Sequence, residues 1–433
     1  MVKVLIFTIK LLPGLGGKKS IQTIALLTQK YGIDNLKILL LSCYYTPDFS
    51  AGSFRAEALV NAIQEHTSID SAFVLTTKPH RYGRKNDVLA SEKEGKIKIE
   101  RCTVPQHGNR LYRQLFTFLV YATKLLAKAL SSGSEFDLIL TTGGRLGTNT
   151  IGHVISRVSG KPHFVEMRDI FSDNIKSVFT PSIMTRFIIR MLEKWEKNIL
   201  RQAQWINFVS PGFLDYFPND ILSDKTRIYT NGIDPIFIEK RKQILGDNKQ
   251  KMKNTCLRLV YAGNIGLGQR LEKIIIPLAL RFPDEIEFIL IGNGNAARIL
   301  NEDILKKKIT NITIVDPLPR EKLIEYYYEA DVLFVHLADI PAFSKSIPSK
   351  LFEYASTNKP ILAGLHGVSR NMLETEVSHA YLFDPGDVDG AAVHITKLMA
   401  QPINVDRTEF VTKYSREKIM RDMIQDIVTA YAK

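Results

Sequence analysis

The sequence predicts an α/β protein with two successive domains, each built on a parallel β-sheet covered by helices. Its length of 433 residues predicts two or three domains. Its composition, 45% hydrophobic and 24% charged, is typical of globular domains with buried cores. Short apolar runs alternate with amphipathic stretches, as parallel strands and their connecting helices do. This alternation occurs twice, and its second half begins near Leu257. We therefore expect two Rossmann-like domains with a cleft between them, where the carboxyl ends of the strands meet ligands.

The apolar runs are short and apolar on both faces, as strands buried beneath helices are. The expected strands are 37–42, 72–76, 138–141, 163–165, 205–210, 257–261, 286–291, 312–315, 332–335 and 360–363. Helical periodicity predicts helices over 53–65, 110–130, 147–158, 184–203, 271–281, 321–328 and 349–357. The polar stretch 240–255 is expected to be a mobile loop or, as a second choice, the hinge.

The two sets of elements place the domain boundaries. Residues 1–35 form an N-terminal extension to which the sequence assigns no role, and residues 36–217 form the first Rossmann-like domain. Residues 218–414 form the second domain, with the crossover expected between 210 and 231. The final helix, 415–433, is expected to pack back on the first domain.

Positive charge is concentrated in the first half of the chain. The net charge is +13, and the excess of basic residues is +4 in 1–35, +7 in 36–220 and +2 in 221–433. No window of about 18 residues lacks charge, and no targeting signal is convincing. Three widely spaced cysteines predict reduced thiols. We expect a cytoplasmic protein that is soluble or peripheral on a membrane.

Two predicted helices explain the basic excess. Residues 110–130 carry four basic and no acidic side chains, and residues 184–201 carry five basic and two acidic ones. Bulky apolar side chains interleaved with cations are typical of helices that lie on an anionic membrane surface. The alternative, equally weighted, is a core-packed helix with a solvated cationic rim. Nucleic-acid binding is not expected, because the aromatic residues lie on helix faces.

A glycine-rich turn follows the predicted strand 257–261. It contains Gly263, Asn264, Gly266 and Gly268, and Arg270 follows it at the start of a helix. Glycines allow a ligand to approach the backbone, and N–H groups at a helix start favour phosphate. The alternative is a tight turn that binds nothing.

A second group of candidates comes from two later segments. Gly292 and Asn293 end the strand 286–291, and Ser349 is expected to cap a helix that carries Lys350 in its first turn. Glu353 lies one turn further on, where its carboxylate can accept hydrogen bonds from ribose hydroxyls. The alternative is a charged helix face exposed to solvent.

The first half has its own charged residues at the carboxyl end of a strand. Arg168 and Asp169 follow the apolar strand that ends at Val165. Charged residues at the end of a buried strand favour a functional site over surface residues that only form salt bridges. Further candidates for the same cleft are Gly52, Ser53, Arg55 and Arg145. The histidines show no metal-ligand spacing and no Gly-x-Ser-x-Gly motif is present, so nucleophilic hydrolysis is not supported.

Taken together and in order, these motifs resemble the family 4 glycosyltransferases of the two-domain GT-B type. The matching pieces are residues 38–42, Gly52-Ser53, Arg168-Asp169, 261–264, 291–294, 348–354 and 359–360. Within the family they look most like the bacterial surface-polysaccharide branch, which includes transferases of N-acetyl-L-fucosamine.

The resemblance implies a retaining glycosyltransferase that needs no metal and no cofactor, since the nucleotide-sugar is its substrate. It implies that Glu353 holds the ribose, that the glycine turn with Arg270 and Lys350 neutralises the diphosphate, and that Asp169 faces the acceptor or the donor sugar. It also makes 36–217 the acceptor-side domain and 218–414 the donor domain. The sequence departs from the family at Lys345, which occupies the position of a glutamate and is kept among the expected donor-site residues. The usual arginine and lysine of the phosphate loop are also replaced, near Asn264 and Gln269.

The function that follows is transfer of a sugar from a UDP-linked donor to a polyprenyl-diphosphate-linked saccharide, at an anionic membrane surface. The resemblance places it in bacterial O-antigen or capsule biosynthesis, with an N-acetylated deoxy sugar as one candidate. Two alternatives stay open. One is a nucleotide-sugar epimerase of the same fold, and the other is a non-catalytic sugar-nucleotide binding protein, which Lys345 would favour.

Overall fold

A computed structural model describes residues 35–48, 50–79, 88–104, 120–129, 136–178, 182–246, 256–400 and 405–433. The expectations for the extension 1–35 and for most of the basic helix 110–130 lie outside this part of the chain, apart from Asn35 and the helical residues 120–129. The described chain forms two α/β domains, each with its own mainly parallel sheet.

The first sheet has eight strands in the order β3-β4-β2-β1-β5-β6-β7-β8, and only β3 runs antiparallel to its neighbour. The strands are β1 (Leu36–Ser42), β2 (Ile69–Thr77), β3 (Ser91–Glu94), β4 (Ile97–Cys102), β5 (Leu138–Gly143), β6 (His163–Met167), β7 (Trp205–Phe208) and β8 (Thr226–Ile228). The helices are α1 (Ala51–Glu65), α2 (120–129), α3 (Leu146–Ser159), α4 (Phe171–Val178) and α5 (Ile183–Gln202), with a 3-10 turn at Pro211–Tyr216.

The second sheet is wholly parallel, in the order β11-β10-β9-β12-β13-β14, which is the Rossmann order 3-2-1-4-5-6. Its strands are β9 (Leu257–Ala262), β10 (Ile286–Ile291), β11 (Ile312–Val315), β12 (Val332–His336), β13 (Ile361–Gly364) and β14 (Ala380–Phe383). Its helices are α6 (Pro235–Gly246), α7 (Ile275–Arg281), α8 (Ala297–Lys306), α9 (Arg320–Glu329), α10 (Pro341–Ser344), α11 (Ser349–Ala355), α12 (Gly367–Glu376), α13 (Val388–Ala400) and α14 (Thr408–Lys413).

The C-terminal helix α15 (Arg416–Tyr431) lies against the first domain. Its buried side chains share one apolar cluster with strands of the first sheet and with α1; they are Ile419, Met420, Met423, Ile424, Ile427 and Val428. The chain therefore ends on the domain in which its described part begins, so α15 ties the two halves together.

Within the described residues, the expected strands and helices are present, with local differences that have physical reasons. The expected helix 271–281 is split into a 3-10 turn, Leu271–Lys273, and α7. Pro277 lacks an N–H and is tolerated only in a first turn, so α7 begins at Ile275. Residues 240–246 of the expected loop are helical, as the second half of α6. Strand β8 extends the first sheet beyond residue 217, where the sequence places the domain boundary.

Candidate functional site

The glycine turn after β9 lies at the point where the strand order of the second sheet reverses, between β9 and β12. Ligands of doubly wound sheets bind at such points. Gly263 has a φ of +133° there, and the ammonium of Lys350 lies 3.9 Å from the centroid of the Tyr261 ring. A Cβ on Gly263 would come within 2.7 Å of the Lys350 Nζ, so the missing side chain lets this cation approach the turn.

The turn is closed by side-chain amides rather than by cations. The Asn264 Nδ2 donates to the Gln269 Oε1 at 3.0 Å, and the Gly266 N–H donates to the same oxygen at 3.1 Å. The Phe343 ring packs where a Cβ on Gly268 would stand, at 2.6 Å. Asn264 and Gln269 therefore shape the turn.

Arg270 follows the turn in a left-handed conformation, with φ 44° and ψ 44°. Its side chain is exposed, and its charge lies close enough to His336 to help lower the pKa of that imidazole, for which burial is the main cause. The His336 ring is held between the Gln269 carbonyl oxygen at 2.6 Å and the Gly386 N–H at 2.9 Å. Arg270 is thus an exposed cation on a strained backbone at the edge of the site.

The second glycine turn touches the first. A Cβ on Gly292 would lie 1.8 Å from the Gly263 carbonyl oxygen, and Ile265 N–H donates to the Asn293 carbonyl oxygen at 3.0 Å. The structure therefore brings Gly292 and Asn293 together with the turn that follows β9.

Lys350 and Glu353 lie on the same helix, α11, and face this region. Burial lowers the pKa of the Lys350 ammonium to about 7, although the Glu353 carboxylate opposes that shift. Glu353 is half-buried, and the Tyr327 hydroxyl donates to its Oε2 at 3.1 Å. Burial raises the pKa of Glu353, while Arg320 opposes the rise. Glu353 therefore lies within electrostatic range of Lys350 and does not point into bulk water.

Two expected donor-site residues are placed differently from the prediction. Ser349 is the first residue of α11, whose N-cap is Pro348, and it makes no capping hydrogen bond. The Lys345 Nζ lies 2.6 Å from the Asp173 Oδ2 of the first domain, so its charge is directed across the domain interface. The partner of Lys345 is 172 residues away, which is why the local sequence did not reveal it.

The first sheet forms a small pocket at its own reversal point, between β1 and β5. Arg145 lies in its wall, with its guanidinium 5.1 Å from the Tyr44 ring centroid and a hydrogen bond to the Tyr44 hydroxyl. Gly52 and Arg168 line the same pocket, and the Arg168 Nη2 donates to the Ala51 carbonyl at 3.1 Å. The structure thus brings together Gly52, Arg145 and Arg168.

Asp169 approaches this pocket over Gly144. Its Oδ2 lies 2.0 Å from the place that a Cβ on Gly144 would take. The protein packed around the Asp169 carboxyl raises its pKa to about 6, and the charge of Arg168 opposes this rise. Part of the residue is nevertheless exposed to solvent. Burial lowers the pKa of Arg168 to about 10. The carboxylate is thus poised to exchange a proton or accept a hydrogen bond near neutral pH.

Arg55 and Ser53 are not on the pocket surface, which corrects the expectation that they line it. Both are fully buried. The Arg55 guanidinium donates to Glu166 Oε1 at 2.7 and 2.9 Å, and to the carbonyls of Tyr229 and Thr230 at 2.7 and 2.6 Å. Arg55 therefore fixes the connection between the domains instead of meeting a ligand.

A charged cluster at that connection was missed by the sequence analysis. Asp234 pairs with both Arg416 of α15 and Arg320 of α9. Burial raises the pKa of Glu353 and lowers the pKa of Arg168; the charge of Arg416 opposes the first shift and adds to the second. Arg416 therefore acts electrostatically on both candidate half-sites. Asn-Gly at 231–232 was the available signal for a turn here; the arginine partners could not be found without the fold.

Within the described residues, no group of three or more His, Cys, Asp or Glu side chains is placed to hold a metal ion. No helix among those residues is both long and apolar enough to cross a membrane.

The comparisons with known proteins agree with this architecture. Residues 247–418 match the family model described as Glycosyl transferases group 1. Sucrose-phosphate synthase from Thermosynechococcus elongatus superposes with a TM-score of 0.67 at 16% identity, over 92% of this chain and 100% of that one. Anabaena HepE in complex with UDP-glucose gives 0.61 at 15% identity, over 91% and 100%. The lipopolysaccharide outer core galactosyltransferase WaaB gives 0.58 at 11%, over 90% and 99%. No curated protein sequence matches the chain.

The fold is that of the GT-B glycosyltransferases. The matched group 1 segment contains the second-domain candidates, from Gly263 to Glu353. The group 1 domain and the GT-B structural neighbours together support a glycosyltransferase.

Proposed function

We propose that the protein is a retaining, family 4-type glycosyltransferase that moves a sugar from a UDP-linked donor to a lipid-linked saccharide. The acceptor is a polyprenyl-diphosphate-linked saccharide at the cytoplasmic face of an anionic membrane. The pathway is bacterial O-antigen or capsule synthesis, and an N-acetylated deoxy sugar such as N-acetyl-L-fucosamine is the candidate for transfer.

The observation that carries this proposal is the position of the Lys350 ammonium beside the backbone of Gly263. When a nucleoside diphosphate leaves, negative charge develops on its phosphate oxygens, and cations and backbone N–H groups stabilise that charge. Burial keeps the Lys350 ammonium only partly charged in the free protein, and the Glu353 carboxylate that acts on it also accepts a hydrogen bond from Tyr327. A bound diphosphate would favour the charged form of Lys350. Glu353 in turn offers its carboxylate to the ribose hydroxyls.

The first-domain pocket supports the other half of the reaction. In this proposal Asp169, beside the pocket, accepts a hydrogen bond from an acceptor hydroxyl. Arg145 and Arg168, which line the pocket, provide positive charge for a phosphate-bearing acceptor. UDP as the carrier is supported by the complex of HepE with UDP-glucose, and a surface-saccharide acceptor by the name of WaaB.

Calorimetric titration with UDP, GDP and their sugar conjugates tests the donor assignment. We expect UDP to bind, and Lys350→Met and Glu353→Gln each to weaken it by roughly tenfold or more, because each removes a charge-assisted hydrogen bond. Lys306→Met is the matched control, since Lys306 ends α8, away from the glycine turns. Failure of every nucleotide to bind would overturn the proposal.

Turnover separates the remaining alternatives. Wild-type rates in Glu353→Ala and Asp169→Ala variants would remove both residue assignments. Epimerised sugar nucleotide formed without any acceptor would identify an epimerase, and donor binding without transfer or hydrolysis would identify a binding protein.

A further inference from the structure

Along its first three turns, α5 presents apolar side chains that the described part of the chain leaves largely exposed. The most covered of them is Trp195, whose Nε1 donates to the Thr150 hydroxyl at 2.9 Å and whose ring contacts His153 edge-on. The exposed fractions are 90% for Ile183, 68% for Met184, 61% for Phe187, 47% for Ile188, 53% for Met191 and 38% for Trp195. Single exposed apolar residues are ordinary, but a contiguous group of this size marks an interaction surface. We call these six residues the α5 face.

The α5 face is a distinct sector of the helix. At about 100° per residue, its six side chains fall within an arc of about 140°. The side chains that hold the helix on the domain lie on the other side; they are Glu196, Ile199 and Leu200, all buried. The helix begins with a capping box at Ser182 and Thr185, so its first turn is ordered although its apolar side is uncovered. Within the described residues, the first half of the helix packs on the domain through side chains such as Leu192 and leaves the α5 face uncovered or only partly covered.

Positive charge borders the α5 face. Arg186 and Arg190 are exposed in the adjoining sector, and Lys194 is exposed within the arc, near its Ile183 edge. None of the three forms an ion pair with another residue in the described part of the chain. The acidic residue in this half of the helix, Glu193, is paired with Lys176 at 2.5 Å. The surface thus combines an apolar stripe with unneutralised cations, the combination that binds anionic bilayers.

We propose that the α5 face inserts into the interface of an anionic lipid bilayer and is the membrane-docking surface of this protein. A second copy of the chain is a poorer occupant, because a twofold contact would bring the three cations of both copies into one interface. This proposal adds a membrane-binding surface to the proposed function. It rests on that function in one respect, since a lipid-linked acceptor requires a bilayer nearby.

The position of the face suits that role. Glu196 accepts hydrogen bonds from the Phe171 N–H at 3.1 Å and from Ser172, which directly follow the Asp169 segment. Ile183 lies thirteen residues earlier on the same helix, about 20 Å away at 1.5 Å per residue. Docking through Ile183 to Met191 would therefore hold the first domain, with its Asp169 segment, close to the bilayer.

Vesicle flotation of the full-length protein tests the proposal. We expect binding to vesicles of phosphatidylcholine mixed with phosphatidylglycerol and little binding to phosphatidylcholine alone. The double variant Phe187→Gln/Met191→Gln should lose roughly tenfold or more of the binding, because both side chains are already exposed and would lose only their contact with lipid. Arg186→Gln/Arg190→Gln should lose binding in a salt-dependent way. Leu305→Gln is the matched control, since Leu305 is 69% exposed on the second domain.

Tryptophan fluorescence gives an independent readout. The chain has two tryptophans, of which Trp205 is fully buried and Trp195 lies at the end of the α5 face. Adding anionic vesicles should shift the emission to shorter wavelength and protect it from aqueous quenchers, and the Phe187→Gln/Met191→Gln variant should show neither change.

Three outcomes would overturn the proposal. They are equal binding of the variant and the wild type, equal binding to neutral and anionic vesicles, and a dimer in gel filtration that Phe187→Gln disperses, which would make the face a subunit interface. Titration of the same variant with UDP keeps this test separate from the donor assignment. Loss of vesicle binding with UDP affinity unchanged supports the α5 face, whether or not the protein proves to be a transferase.

Discussion

The ammonium of Lys345 lies 2.6 Å from the Asp173 Oδ2, so one ion pair joins α4 of the first domain to the loop that precedes α11. The same loop is held at a second point, where the Ser210 hydroxyl donates to the Lys345 carbonyl at 2.5 Å. Both side chains of the ion pair are mostly buried, at 23% and 10% exposure. Lys345 therefore contributes to the contact between the domains, and its place in the donor site stays a prediction.

A double-mutant cycle measures that contribution. Lys345→Ala, Asp173→Ala and the double variant should show a coupling of about 1 kcal/mol in the free energy of unfolding by urea, because the pair is partly shielded from water. Lys345→Glu should destabilise more than Lys345→Ala, since it places two carboxylates together. A coupling near zero, with Lys345→Glu no worse than Lys345→Ala, would show that the ion pair does not stabilise the interface.

The buried pair of Arg55 and Glu166 should be far more sensitive. Arg55→Met leaves the Glu166 carboxylate without its charged partner inside the first domain, at a cost of about 3–5 kcal/mol in the free energy of unfolding. The Tyr229 and Thr230 carbonyls also lose their donors, so the connection between the domains should become more susceptible to proteolysis. The double variant Arg55→Met/Glu166→Leu should recover part of the loss. A single variant as stable as the wild type would refute this account.

The roles of Arg55 and Lys345 could not be predicted from the sequence, although much of the fold around them could. The apolar runs predicted the central strands of both sheets, because parallel strands covered on both faces must be apolar throughout. Four strands were missed: the polar edge strand Ser91–Glu94, the strand Ile97–Cys102 with its charged residues, the three-residue strand Thr226–Ile228 and the edge strand Ala380–Phe383.

The candidate site divides in the same way. Gly263, Lys350 and Glu353 come from segments whose local pattern placed them at strand ends or helix starts, and the structure brings them together. The sequence offered Arg55, at the start of the first helix, and Arg145, at the end of a strand, as candidates for the same cleft. Only one of them meets a carboxylate 111 residues away, which buries it. Contacts between residues so far apart in the sequence depend on the topology of the fold, and local sequence patterns do not predict them.

Arg270 should show opposite effects on stability and on donor binding. A left-handed conformation costs a non-glycine residue about 1–2 kcal/mol, whereas glycine adopts it freely. Arg270→Gly should therefore raise the free energy of unfolding by about 0.5–1 kcal/mol. If Arg270 neutralises the donor diphosphate as proposed, the same change should weaken UDP binding.

Two further variants separate these effects. Arg270→Ala should weaken UDP binding without the gain in stability, because alanine keeps the strain. Lys308→Gly, at a φ of +54° after α8, should stabilise the protein and leave UDP binding unchanged. Unfolding in urea and calorimetry supply the measurements, and undiminished UDP affinity in both Arg270 variants would exclude Arg270 from the site.

Lys350 should make donor binding depend on proton uptake. Burial lowers its pKa to about 7 in the free protein, so its ammonium is partly deprotonated at pH 7 and mostly deprotonated at pH 8. A bound diphosphate favours the charged form and raises this pKa again. Binding of UDP at pH 8 should therefore take up close to one proton, uptake should fall as the pH drops below 7, and affinity should decrease as the pH rises from 7 to 9.

Calorimetry in two buffers of different ionisation enthalpy measures that uptake directly. Compared with the wild type, Lys350→Met should bind UDP more weakly and take up fewer protons on binding at pH 8. Lys306→Met should match the wild type in both respects. Wild-type binding without proton uptake at pH 8 would mean that the Lys350 ammonium is not in contact with the diphosphate. Because a merely structural lysine would change affinity without changing the proton count, this measurement distinguishes a charge placed beside Gly263 for the ligand from one that serves the fold.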